Sequence, residues 1–510
     1  MKPSPDLYDL VHTLSRTGKK QFWYFITRYS KNTEVVKLYN ALKSQKKYNE
    51  PLLRKKLGYV KSRTGFSVLK NELYRLILES TQLHSFHKTV DNELSVAIAG
   101  ADFCIRNGLT NQCRKIISKA KGKAIKAEKF IKLLEILDIE QRLLSGQNYE
   151  IANLHEVNDL FGEVKSTLAQ IQNYESYRLI RAQFYVMMKG GQTGRDKKSN
   201  LQLKRFFQND FLRNEEKATS TYSRVMLFQT LSMYYRLLHD NTTSYTYTLR
   251  ALQAFDDNPV LTRFDPFKYA NLLSSCIRSA SIINNTKDAE TLAIRLNMFT
   301  KKHIPDKVAT LKTESLVLDI QLNKCLLFWD KKDLDKTEHL AATAEKIALK
   351  LSVQTNFVIM YNLAYLYFGQ KKYKQSLKYL KRIFYKANRH DQQSEIYCFS
   401  RLLYLLALYE MGDDDHLQHQ IKSTSRFLAV RRRTYEFEGA LLQFLRTEPG
   451  SGNNVKHMES FRQFRNIIAS FQSNHLEKTI FDYFDWISWI DSKLLNKPFM
   501  EVARENVRSE

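Results

Sequence analysis

Glycine and proline are scarce in this chain, and that scarcity limits the possible folds more than any other feature of the sequence. The 510 residues include 16 Gly and 8 Pro, about 5% of the chain, where average usage is roughly 12%. Folds rich in β-strands need both residue types at their many tight turns. Hydrophobic residues make up 43% of the sequence, enough for a large core. The composition therefore predicts an all-α protein of long helices.

The length of the chain sets a second limit. Single hydrophobic cores stop growing at roughly 250–300 residues, and this chain has 510. It must therefore form several domains, or an elongated array that grows by the addition of similar units.

One stretch, residues 361–384, has the pattern of two short helices joined by a tight turn. Leu363, Ala364 and Tyr367 fall on one face of the first helix, and a polar turn follows at residues 370–372. Apolar residues at helical spacing then resume. This pattern predicts an αα-hairpin.

The same stretch resembles a tetratricopeptide repeat. The family places Leu, a small residue and Tyr where Leu363, Ala364 and Tyr367 stand, and it begins the second helix with an aromatic residue, here Tyr373. The closing proline of the family is absent. The resemblance implies αα-hairpins stacked into an α-solenoid, with the first helix of each repeat facing a groove that binds a protein or peptide partner.

Looser matches to the hairpin pattern recur along the chain. Their mean interval is about 43 residues, which exceeds the 34 of a regular tetratricopeptide array and approaches the roughly 40–47 of other helical repeats. The predicted turns are anchored at Gly108, Gly146, Gly190, His239, Asn284, Lys332, Lys371 and Gly412.

The two ends of the chain do not follow this repeat. The sequence predicts a basic helical N-terminal module over residues 1–85, a tetratricopeptide-like α-solenoid over residues 86–446, and a linker with C-terminal capping helices over residues 447–510. The capping helices are expected at residues 457–471 and 476–495. A terminal repeat needs such a cap because its outer face would otherwise expose apolar surface.

The clear repeat offers candidate partner-binding residues. The face opposite its apolar stripe carries Tyr361, Asn362, Tyr365 and Phe368. Exposed aromatic side chains beside an amide suit peptide binding, because they combine apolar area with hydrogen-bonding groups. A neighbouring repeat that covers this face is the alternative interpretation. The leading functional hypothesis is a non-enzymatic scaffold that binds a protein or peptide.

The charge distribution raises a different hypothesis. The net charge is +27, and residues 1–80 contribute +11, with 17 Lys and Arg against 6 Asp and Glu. A regulator with a nucleic-acid-binding N-terminal module is therefore the alternative function. The simpler interpretation is that the charges lie on solvated helix faces and that the stripe formed by Phe22, Phe25, Ile26 and Tyr29 packs in the core. The candidate nucleic-acid-binding residues are Lys19, Lys20, Lys46, Lys47, Arg54, Lys55 and Lys56.

No catalytic, cofactor or metal motif is legible in the sequence. The loop at residues 189–200 lacks the glycine spacing and the Lys-Ser/Thr pair of a phosphate-binding loop. The His84/His87 and His416/His419 pairs lack a complete ligand set. The five cysteines are scattered, and no apolar run approaches the ~20 residues of a membrane span. We therefore expect a cytoplasmic protein that is not an enzyme and has no cofactor, metal or membrane span.

Overall fold

The computed structural model describes the chain at residues 5–14, 16–29, 33–45, 47–59, 62–85, 89–146, 153–189, 197–304, 307–329, 335–348, 353–388, 391–447, 454–474 and 476–509. Across these residues the chain is helical between its turns, and no β-strand occurs among them. The predicted all-α fold class is confirmed. The repeat anchors Gly190 and Lys332, the basic residue Lys46 and most of the predicted linker lie outside the described residues.

The chain divides into two compact units, residues 1–168 (unit 1) and residues 169–510 (unit 2). The boundaries predicted from the sequence, after residues 85 and 446, stay predictions. The helices of unit 1 are α1 (Asp6–Thr13), α2 (Arg16–Tyr29), α3 (Thr33–Ser44), α4 (Glu50–Lys56), α5 (Arg63–Ser85), α6 (Val90–Arg106), α7 (Thr110–Lys126), α8 (Phe130–Ser145) and the first part of α9 (Leu154–Lys189).

The N-terminal part of unit 1 is built on α5, against which α1, α2 and α3 each pack. The aromatic stripe of α2 forms part of the core there, since Phe22, Phe25 and Ile26 are buried. This confirms the prediction that these three residues pack in the core. Helix α4 was not predicted from the sequence. It begins where the side chain of Asn49 accepts a hydrogen bond from the backbone N–H of Leu52, at 3.0 Å, as a helix N-cap does.

Within its described residues, unit 2 continues with helices and short 3₁₀ turns at Glu215–Lys217, Asp391–Gln393 and Lys478–Asp482. Its helices after α9 are α10 (Lys197–Phe207), α11 (Asp210–Arg213), α12 (Thr221–Leu237), α13 (Asn241–Asp256), α14 (Pro259–Phe264), α15 (Pro266–Ile282), α16 (Thr286–His303), α17 (Lys307–Phe328), α18 (Thr337–Ala348), α19 (Val353–Gly369), α20 (Tyr373–Lys386), α21 (Glu395–Met411), α22 (Asp414–Val430), α23 (Glu436–Thr447), α24 (Asn454–Ser470), α25 (Trp486–Leu494) and α26 (Phe499–Ser509).

One type of turn recurs between the helices. One or two positions after the last helical residue, a residue has a left-handed backbone. The residue that follows it donates its N–H to the carbonyl five positions earlier, which is the Schellman arrangement. At Gly412, for example, φ is 67°, and the Asp413 N–H donates to the Leu408 carbonyl at 3.2 Å. The residues in the left-handed position are Gly58, Gly108, Glu128, His239, Asn284, Lys371, Gly412, Arg432 and Asn496.

Five of the eight turn anchors predicted from sequence occupy this left-handed position: Gly108, His239, Asn284, Lys371 and Gly412. At each of them two consecutive helices form an αα-hairpin, and the helices of each hairpin pack on each other. Helix α8 instead ends at Gly146 with a right-handed φ of −66°.

The predicted interval of about 43 residues appears in the contacts of unit 2. Among the described residues, four side-chain hydrogen bonds join residues 43 positions apart in successive hairpins. They are Tyr222–Asp265, Arg236–Ser279, Tyr245–Asp288 and Asp319–Asn362. The first helices α15, α17, α19 and α21 also pack on one another in that order. Equivalent positions of neighbouring hairpins therefore meet in space.

The C-terminal segment, residues 478–509, differs from its prediction. A single helix was expected over residues 476–495, but the structure has a 3₁₀ turn at Lys478–Asp482 and then α25 and α26. The break lies at Asp485, whose side chain accepts from the Ser488 N–H at 2.9 Å and starts α25 as an N-cap. That N-cap role is incompatible with the interior of one continuous helix.

Candidate functional site

The four predicted partner-binding residues lie on α19 and are buried. Tyr361, Asn362, Tyr365 and Phe368 are 2%, 8%, 7% and 2% exposed. The expectation that this face is open to a partner is wrong. The face is covered, but mainly by the C-terminal end of the chain and not by the neighbouring repeat of the alternative interpretation.

The covering element is the C-terminal segment. The Tyr361 hydroxyl donates to the Tyr483 carbonyl at 3.0 Å, and the Tyr365 hydroxyl accepts from the Asp485 N–H at 2.9 Å. The ring of Phe368 packs against Phe484, with centroids 5.4 Å apart. These aromatic side chains therefore use both their apolar area and their hydroxyl groups inside the protein.

Helix α21 holds the same segment through a buried carboxylate. The side chain of Glu410 is 8% exposed, and it accepts hydrogen bonds from the Trp489 indole at 2.8 Å and the Tyr373 hydroxyl at 3.0 Å. The Lys493 ammonium pairs with it at 2.6 Å. A buried charge is tolerated when it is paired and hydrogen-bonded in this way. The C-terminal segment is thus part of the core of unit 2.

Asn362 connects to helix α17 instead. Its Nδ2 donates to Asn323 Oδ1 at 2.9 Å and to Asp319 Oδ1 at 3.2 Å. Burial raises the pKa of Asp319 to about 6, although the nearby Arg278 and the hydrogen bond from Asn362 act in the opposite direction. The carboxyl group therefore changes charge close to neutral pH.

Two arginines complete this polar region. Arg236 lies on α12 and Arg278 on α15, and both side chains are exposed. Removal of water by the surrounding protein nevertheless lowers the pKa of both, and the charge of Arg278 further lowers that of Arg236.

The hydrogen bonds of the two arginines are to hydroxyl groups. Arg236 Nη2 donates to Ser279 Oγ at 2.9 Å, and Arg278 Nη2 donates to Ser275 Oγ at 3.4 Å. Neither guanidinium forms an ion pair within 4.0 Å of a carboxylate among the described residues. We refer to Arg236, Arg278, Asp319, Asn323 and Asn362 as the arginine site.

The arginine site was missed from the sequence, apart from Asn362. Its members lie on the first helices of four successive hairpins, α12, α15, α17 and α19. The 43-residue spacing between Asp319 and Asn362 was visible in the sequence. Nothing in the sequence, however, distinguishes Arg236 and Arg278 from solvated arginines, because their environment depends on helices far away in the chain.

The described basic candidates of unit 1 lie on α2, on α4 and in the segment between α3 and α4. Lys47, Lys55 and Lys56 are exposed, and the Arg54 guanidinium donates to the Tyr59 carbonyl at 3.0 Å. Only Lys19 and Lys20, among the candidates that the structure describes, line a common cavity, of about 720 Å³.

A second groove, of about 520 Å³, runs along α20 in unit 2. Three lysines border it, Lys374, Lys378 and Lys381, all on one side of that helix. Because they occupy one face of a single amphipathic helix, they are explained as its solvated side.

Other classes of site are absent from the described part of the chain. No group of three or more His, Cys, Asp or Glu side chains there is arranged to hold a metal ion. Within the same residues, no helix combines the length and apolar character needed to cross a bilayer. The five cysteines are all buried and unbonded to one another.

Comparison with known proteins adds no relative. Neither a known protein family nor a curated protein matches this sequence.

Proposed function

We propose that this chain is a non-enzymatic interaction protein that binds an acidic peptide or protein segment at the arginine site. The polar side chains of the site come from the first helices of successive hairpins, which is where a tetratricopeptide-like solenoid binds its partners. The stacking of α15, α17, α19 and α21 and the 43-residue contacts support such a solenoid. The five buried, free cysteines suit the cytoplasm, where thiols stay reduced.

The observation that carries this proposal is a pair of arginines, neither of which has a carboxylate within 4.0 Å among the described residues. Desolvated guanidinium groups are costly unless an anion offsets the lost hydration. Arginine forks bind carboxylates through two parallel hydrogen bonds, which gives both strength and orientation. Arg236 and Arg278 would therefore bind Glu or Asp side chains of the partner. The amide nitrogen of Asn323, whose oxygen already accepts from Asn362, is suited to a hydrogen bond with its backbone.

A displayed library of random peptides, selected on the full chain, tests this function. We expect the enriched peptides to be rich in Asp and Glu. They should bind the Arg236→Gln/Arg278→Gln variant roughly tenfold more weakly or worse, since charge-assisted pairs are lost. The control is Arg426→Gln, which removes one exposed arginine from α22. Peptides without acidic residues, or equal binding to the double variant, would refute the proposal.

The alternative function, a regulator with a nucleic-acid-binding N-terminal module, has one observation in its favour. Lys19 and Lys20 line a single cavity together with the exposed ring of Trp23. Basic and aromatic side chains in one groove are the usual combination for single-stranded nucleic acid.

A further inference from the structure

The cavity of about 720 Å³ in unit 1 lies between α2 and α3. Helix α2 contributes Lys19, Lys20 and Trp23, and helix α3 contributes Tyr39, Asn40 and Lys43. Each helix presents positions i, i+1 and i+4, which fall on one side of a helix. Both helices pack on α5, which holds the two walls of the cavity in place. We call this cavity the α2–α3 pocket.

Tyr39, one of the residues that line the pocket, carries an unused polar group. Its side chain is 1% exposed, and its ring packs edge-on against Phe22, with centroids 4.9 Å apart. The hydroxyl is buried and has no hydrogen-bond partner among the described residues. Most buried hydroxyls are hydrogen-bonded, because an unmet one costs free energy. An acceptor atom on a ligand would satisfy it, and burial raises the pKa of Tyr39 so that the hydroxyl keeps its proton.

The three lysines of the pocket carry uncompensated charge. Lys19, Lys20 and Lys43 form no ion pair with any carboxylate within the described residues. All three residues line one cavity from two helices, so their positive charges add there. An anion with several oxygens, such as a phosphate, would reduce this repulsion and accept hydrogen bonds from more than one lysine.

Trp23 supplies an aromatic surface beside these charges. Its side chain is 43% exposed, which is unusual for a tryptophan without a partner surface. The amide of Asn40, also at the solvent side of the pocket, can donate and accept hydrogen bonds at the edge of a base. Stacking of a nucleobase on an aromatic ring contributes about 1–3 kcal/mol per base in other proteins.

We propose that the α2–α3 pocket binds a nucleotide, with its base stacked on Trp23 and its phosphate held by Lys19, Lys20 and Lys43 and the Tyr39 hydroxyl. The site does not depend on the peptide-binding proposal. It assigns the nucleic-acid binding of the alternative function to this one pocket. The bound nucleotide is either a free molecule or part of a single strand. Lys55 and Lys56, on α4, lie outside this pocket.

Tryptophan fluorescence of the full chain provides the test. Trp329, Trp486 and Trp489 are each 1% exposed, so quenching by an added nucleotide reports mainly on Trp23. We expect saturable quenching by AMP and weaker binding of inorganic phosphate, measured by its competition with AMP. If a single-stranded oligonucleotide displaces AMP and binds more tightly than AMP, the natural ligand is a nucleotide within a nucleic acid strand. If the oligonucleotide binds no more tightly than AMP, the natural ligand is a free nucleotide.

The variants separate the pocket from general charge. Lys19→Ala/Lys43→Ala should abolish saturation, and Tyr39→Phe should weaken AMP binding by roughly tenfold. Because the hydroxyl has no partner in the protein, Tyr39→Phe should leave the melting temperature unchanged or higher, which excludes a folding defect. Lys55→Ala/Lys56→Ala is the matched control and should bind like the parent.

Three results would overturn the proposal. They are no quenching by any of the three probes, equal binding of AMP and inorganic phosphate, and a control double variant that weakens AMP binding as much as the pocket variants do. If duplex DNA binding depends on Lys55 and Lys56 without any AMP quenching, the nucleic-acid alternative survives and the α2–α3 pocket does not.

Discussion

At the scale of single residues, Asp319 makes the stability of unit 2 depend on pH. Its pKa in the folded protein is about 6, above the ordinary 3.8, so the folded state binds this proton more tightly than the unfolded state. The resulting stabilisation is complete below about pH 4 and is lost as the pH rises through 6. Burial, which disfavours the charged form, is the main cause.

Asp319→Asn tests this assignment. The amide oxygen can still accept from Asn362, but the charge that burial disfavours is gone. We expect the variant to melt at a higher temperature than the parent at pH 7.5 and to gain less at pH 4.5, as measured by circular dichroism. Asp257→Asn, at an exposed position of the same unit, controls for loss of one carboxylate. An equal shift at both pH values would contradict the assignment.

In the hairpin at residues 361–384, the burial of one helix face could be predicted from the sequence and the burial of the opposite face could not. The apolar stripe Leu363, Ala364 and Tyr367 is buried as predicted, because its helical periodicity marks a core face. Periodicity says nothing about whether the opposite face is covered. Tyr361 and Tyr365 are covered by backbone groups about 120 residues later in the chain, and no local pattern encodes a contact of that length.

At the scale of helices and turns, the left-handed turn residues carry measurable strain. Lys371 has a φ of 59°, a conformation that costs an L-residue with a side chain roughly 1 kcal/mol or more relative to glycine. Lys371→Gly should therefore stabilise the α19–α20 hairpin by about 1 kcal/mol in denaturant unfolding. Lys372→Gly is the matched control, since Lys372 has a φ of −86° and should gain nothing. Equal effects at the two positions would contradict this account.

The turns were the most predictable elements of the fold where glycine or asparagine occupies the left-handed position, as at Gly108, Asn284 and Gly412. Both residue types tolerate that conformation and mark helix ends in a sequence. Glu128 and Arg432 adopt the same conformation without any compositional signal. The surrounding helix packing holds them there, so the sequence alone did not reveal those turns.

At the scale of the whole molecule, the repeat interval was predictable and the composition of the site was not. The mean interval of about 43 residues reappears as hydrogen bonds between residues 43 apart. The division into units at residue 168, by contrast, falls within the long helix α9, where no change of composition marks it. Boundaries set by packing inside a continuous helix leave no local trace in a sequence.

The central claim is that the first helices of unit 2 hold an acidic partner through Arg236 and Arg278. Hydrogen–deuterium exchange of the full chain, with and without a saturating acidic peptide from the display selection, tests it most directly. We expect slower exchange in α12, α15 and α17 of the parent, and no change on peptide addition in the Arg236→Gln/Arg278→Gln variant. Protection confined to other helices, or the same protection in the variant, would contradict it.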